Sequence, residues 1–314
     1  RAVNARSRAA GKALGALSAE MSKDPVAQLS RIQWLRRRGK DVEATKLMLK
    51  APRTDKELVD GWQWWEERRI LVREMLDRGD AKSAYRLAAE HGISHPVAFA
   101  EAQFLAGWVA LRYLDRPGEA RGHFANLRDG VKTPISTARA QYWLGRAEEA
   151  LGNDDAAQTH FRAAADHPTT YYGQLGYLRV AGSNAHLVLP DDPRATVSER
   201  AAFHARRQVR AARLLHELGD TRLAGSFLRD YAKSLDDPAE IVLAGALAER
   251  MDLINMAVRI GKDAINRGQP VYQLAFMTGG IPPFKPAGTP GEHPMRYPIP
   301  RPASPFHPTA RSPG

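Results

Sequence analysis

The 314-residue chain contains no cysteine. That excludes zinc–thiolate sites, iron–sulfur clusters, cysteine nucleophiles and disulfide frameworks. It also leaves a chain that would pass unharmed through an oxidising compartment. Long apolar runs are missing as well: no segment reaches the roughly eighteen consecutive apolar residues of a membrane helix. No stretch alternates apolar and polar residues for long enough to require a sheet. Gly-rich phosphate loops and paired-histidine ligand motifs are absent, so neither a metal nor a cofactor is expected. An initiator Met is lacking, and the opening Arg1-Ala2-Val3 leads into no signal-like segment. The chain therefore reads as a piece of a longer protein.

What is present is helical punctuation. Ile32, Trp34 and Leu35 share a helix face, Gly39-Lys40 turns the chain, and Val42, Ala44, Leu47 and Met48 follow. The pattern returns at Trp62 to Arg78 with a turn at Gly79-Asp80, and at Val97 to Leu114 with a turn at Asp115 to Gly118. It returns again at Ala138 to Leu151 with a turn at Gly152 to Asp154, then around Gly219-Asp220 and Met251-Asp252. The glycines suit helix ends, and the following Asp or Asn suits the start of the next helix. One longer interval, between Gly152 and Gly219, is read as holding an extra helix and a loop. Regular turns between amphipathic helices predict an all-α fold, a right-handed superhelix of TPR-like helix–turn–helix repeats over residues 1–278. Residues 279–314 carry eleven of the 21 prolines, from Pro282 to Pro313, and cannot continue such an array. They read as an irregular tail and a separate segment.

Forty-six Lys and Arg against 35 Asp and Glu leave a net charge of +11, which favours a polyanionic partner. Arg36, Arg37 and Arg38, with Arg206 and Arg207, are the candidate binding residues. Arg68-Arg69 makes a further basic pair. Singly, each cluster fits a solvated helix face; together they could hold an anionic polymer. Of the six tryptophans, most sit at helical spacing and fit a core better than a sugar platform. Trp64 and Trp65 are adjacent, so one of them is expected at the surface. The neighbouring acids Glu66-Glu67, Glu148-Glu149 and Asp154-Asp155 do not face each other across a cleft, as glycosidic acid–base chemistry requires. They read as solvated or capping charges.

The stretch His167 to Leu175, HPTTYYGQL, resembles one found in soluble lytic murein transglycosylases. Arg206 to Asp220 resembles the helix that follows in that family, and Gly280-Ile281-Pro282-Pro283-Phe284 resembles the linker into its catalytic domain. The resemblance implies an α-superhelical domain of a periplasmic enzyme acting on peptidoglycan. In that family a lysozyme-like domain cuts between N-acetylmuramic acid and N-acetylglucosamine, leaving a 1,6-anhydro product through a single Glu. Its catalytic stretch reads approximately RQESAFxPxAxSxxGxxGLMQ. Arg301, Ser304, Phe306, Pro308, Ala310 and Ser312 match it in order, but Ala303 stands where the Glu belongs. Alanine has no proton to donate, so the chain alone is expected to be inactive. Its expected partners are murein glycan strands and other cell-wall proteins. The rival readings are a helical scaffold for a protein partner and, more weakly, a nucleic-acid-binding solenoid, although the aromatic interleaving of single-strand binders is missing.

Overall fold

The computed structural model describes residues 8–277. The predicted tail and linker, including Ala303, Ser304, Phe306 and Pro308, lie outside them. The described residues are all-helical, with no strand among them. The helices are α1 (Ala10–Gly15), α2 (Pro25–Arg36), α3 (Asp41–Met48), α4 (Asp55–Leu58), α5 (Gly61–Asp77), α6 (Ala81–Ala89), α7 (Pro96–Tyr113), α8 (Pro117–Gly130) and α9 (Pro134–Ala150). There follow α10 (Asp154–Ala165), α11 (Tyr171–Ala181), α12 (Val197–Ala205), α13 (Arg207–Glu217), α14 (Thr221–Lys233), α15 (Pro238–Arg250), α16 (Ile254–Asn266) and α17 (Tyr272–Ala275).

Each of the six turns read in the sequence joins two helices that pack on each other: α2 with α3, α5 with α6, α7 with α8, α9 with α10, α13 with α14, and α15 with α16. The residue that reverses the chain has positive φ in every case: Gly39, Gly79, Asp115, Gly152, Gly219 and Asp252. At Gly79 the amide donates to the Leu76 carbonyl (2.9 Å) and the next amide, of Asp80, to that of Met75 (2.8 Å). This paired pattern satisfies the last helical carbonyls and recurs at Gly39, Gly152, Gly219 and Asp252. Asp80 and Asp220 then cap the following helices by accepting from Ser83 N and Leu223 N.

Five residues after each reversal stands an alanine: Ala44, Ala84, Ala120, Ala157, Ala224 and Ala257, none more than 1% exposed. A side chain that small lets the second helix of a pair lie close against its neighbour. The same closeness explains Gly107 and Gly145, where an added Cβ would lie 2.7 and 2.6 Å from the rings of Phe124 and Phe161.

Two larger apolar clusters form the core, one running from Leu29 to Val109 and the other from Phe203 to Leu274. Smaller ones around Phe124 and Phe161 lie between them in sequence. The long interval holds two helices before the next pair, α11 and α12, where one was expected. Arg206, extended at ψ 141°, separates α12 from α13. The connection between α11 and α12 is fastened from far away. The Asp192 carboxylate accepts from Gln273 N and Leu274 N, both at 2.8 Å, at the start of α17.

Trp64 and Trp65 are both buried, at 1% exposure each, against the expectation that one would face solvent. Helix α5 is covered on more than one side, by α2, α3 and α4 and also by α6 and α7, so it has no wide solvent face there. Trp64 Nε1 donates to the Leu58 carbonyl (3.1 Å) and Trp65 Nε1 to Glu101 (2.7 Å). The same double coverage buries Glu67 and Arg68, which had read as solvated charge.

Candidate functional site

The five arginines singled out in the sequence lie on two different helices. Arg36 to Arg38 lie at the end of α2, and Arg206 and Arg207 at the start of α13. Arg36 is spent on Glu67, to which its guanidinium donates twice. Arg37 is the exposed residue that caps the C-terminal end of that helix, and the Arg38 guanidinium lies 5.0 Å above the Trp34 ring. Arg206 donates to both oxygens of Glu240 and to Tyr231 Oη (3.0 Å). Those bonds raise its already high pKa further, and it is neutralised in place.

Arg207 is different. It lines an open groove of about 540 Å³ with Arg210, Ala211, Arg213, Leu214 and Glu217. Its arginines recur every third residue along α13, opposite the buried Val209 and Ala212. Arg213 Nη2 donates to His204 Nδ1 (3.0 Å). The His204 pKa is lowered first by burial and then by the charges of Arg213, Arg250 and Arg200. The groove is only half legible in the sequence: Arg207 stands in a basic pair, while Arg210 and Arg213 follow it at the spacing that marks one helix face.

A second cleft, of about 830 Å³, is lined by Asp55, Lys56, Val59, Asp60, Trp62, Ser94 and His95. Trp62 is 40% exposed and meets the His95 ring edge-on at 5.1 Å. Asp55 accepts from the Ser94 hydroxyl, and Asp60 caps α5 by accepting from Gln63 N (3.2 Å). An exposed indole beside carboxylates, a hydroxyl and an imidazole has the composition that holds a sugar ring by stacking and hydrogen bonds. Trp62 is thus the tryptophan that the fold leaves available; the other five are buried or half-buried.

The stretch 167–175 forms the turn into α11 and the first residues of that helix. Thr170 caps the helix by accepting from Gly173 N (3.0 Å). A Cβ at Gly173 would overlap the His167 carbonyl, at 1.9 Å, so only glycine fits. Tyr172 packs on Tyr142 and Trp143, whereas Tyr171 is 59% exposed. Glu148, one of the acids read as solvated, is instead buried and takes a hydrogen bond from Asn153 (2.7 Å).

Among the described residues no three His, Asp or Glu side chains are placed to hold a metal ion, and no helix is long and apolar enough to cross a membrane. Compared with known proteins, the chain matches no family model, no curated protein and no solved structure.

Proposed function

We propose that this chain is a peptidoglycan-holding, TPR-like superhelical portion of a lytic murein transglycosylase of the periplasm, positioning glycan strands for catalytic groups it does not itself supply. The observation that carries the reading is the stretch His167 to Leu175. Its Thr170 and Gly173 have fixed packing duties, while Tyr171 is left exposed beside a row of aromatic side chains. The spacing of long-range contacts supports a repeating array. Arg36–Glu67, Arg53–Glu90, Arg78–Asp41, Arg206–Glu240 and Arg229–Asp263 bridge residues 31 to 37 apart, about one helix pair each. The recurring buried alanines fit the same arrangement. In this reading the Trp62 cleft takes a sugar face and the basic surfaces take acidic stem peptides.

A second reading, a scaffold for a protein partner, is favoured by one feature. Leu214, Leu218, Leu223 and Phe227 on and between α13 and α14 are exposed, Leu218 by 73%. Sedimentation with purified, insoluble sacculi separates the two. Retention should be strong at low salt and weaken steeply towards physiological salt, because exposed charge is screened over about 10 Å at 0.1 M. Trp62→Ala should weaken it further. No retention at any salt would overturn the murein reading and leave the scaffold.

A further inference from the structure

Part of the charge on this protein is matched locally. Arg53, Arg78, Arg86, Arg116, Arg206 and Arg229 all lie against carboxylates. The neighbourhood of α13 gathers several cations that are not. Arg207, Arg210 and Arg213 line its groove, and Arg200 and Arg250 act with Arg213 on His204. None of these five has an ion pair among the described residues, although Glu217 lines the same groove. Like charges three residues apart on a helix repel, so the row weakens α13 unless something neutralises it.

We propose that the α13 groove is an oxyanion-binding site, for a ligand carrying at least two carboxylate or phosphate groups. A guanidinium offers a planar fork of N–H donors that fits either group with two parallel bonds. Three residues advance a helix by about 4.5 Å, so Arg207 and Arg213 start about 9 Å apart along the axis. A ligand with two or three anionic groups can span that row, whereas a monoanion meets one arginine. The His204 contact holds Arg213 in place: the neutral imidazole accepts through Nδ1 and leaves the remaining guanidinium donors for the ligand. The exposed leucines at 214 and 218 border the row and give an apolar edge to whatever lies there.

The inference is independent of murein binding, and it is tested on the full chain with small probes. Titration calorimetry with tripolyphosphate and with citrate should each give saturable, one-to-one binding, with acetate at least 10-fold weaker. Arg207→Gln with Arg210→Gln should weaken the multivalent probes at least 10-fold. Arg210→Lys, which keeps the charge and loses the fork, should fall between. Arg162→Gln, an exposed arginine on α10, is the control and should change nothing. A clear preference for citrate would assign the natural group as carboxylate, and a preference for tripolyphosphate as phosphate. Equal affinity in the doubly substituted chain, an equal loss in the Arg162 variant, or no binding of either probe would each overturn the site.

Discussion

At Val59 the backbone has φ 65° and ψ −49°, and the Asp60 amide donates to the Leu58 carbonyl at 2.7 Å. This is a γ-turn of the rare, strained hand, built on a β-branched residue that disfavours it most. Strain of this kind costs about 1–3 kcal/mol, and the turn sits on the lip of the Trp62 cleft. Val59→Gly should therefore raise stability by about 1 kcal/mol after the extra freedom of the unfolded chain is subtracted. Urea denaturation would measure it, and unchanged or lower stability would mean that the turn is not strained. The Val59 side chain is itself 73% exposed, so no packing is lost in the exchange. The sequence gives no hint of this turn, because Val59 lies between Leu58 and Asp60 without any Gly or Asn to mark it. Adjacent Trp64 and Trp65 misled for a related reason. The rule that neighbours cannot share a face assumes a helix with one buried side, and α5 is covered on several.

At the scale of elements, α6, α7 and α8 are joined by a row of polar side chains. Ile93 N donates to His91 Nδ1 (3.0 Å), His91 Nε2 meets Gln103 (3.3 Å), Gln103 Oε1 meets His123 Nδ1 (2.8 Å), and His123 Nε2 meets Tyr85 Oη (3.0 Å). Burial first, then the charge of Arg68, lowers the His91 pKa to about 4, and burial lowers that of His123. The unfolded chain takes up these protons near pH 6.5, whereas folded His91 waits until about 4. Between those values the unfolded state holds more protons, so stability must fall as the pH falls. The unfolding free energy from urea titrations should decline between pH 7.5 and pH 4, by up to about 3 kcal/mol for His91. His91→Gln should flatten the slope; an unaltered slope would show that His91 does not control it. The six reversals were legible because glycine and aspartate announce a positive φ locally. The clamp of Asp192 on α17 was not, since its partners lie 81 and 82 residues away and no local pattern records them.

For the molecule as a whole, the all-α class and the excess of positive charge could be read directly, but where the charge acts could not. Pairing across 31 to 37 residues silences Arg36 and Arg206 and leaves the row from Arg207 to Arg213, and only the fold decides which. One buried cation also sets a sequence in time. Arg68 is 1% exposed, and although burial lowers its pKa to about 10, it stays charged at neutral pH. Its fork donates to the Met48 carbonyl (3.4 Å) and the Leu87 carbonyl (3.2 Å), and its Nε finds no partner. Met48 is synthesised before Arg68, and Leu87 after it. Until Leu87 arrives, Arg68 has only the Met48 carbonyl and water to meet, and the pocket that buries it is unfinished. The packing around Arg68 is then expected to become firm only once α6 has emerged. Pulsed proteolysis of ribosome-bound chains of increasing length should show α5 becoming resistant only once Leu87 has left the exit tunnel; protection before that point would mean that the Leu87 carbonyl is dispensable for burying Arg68.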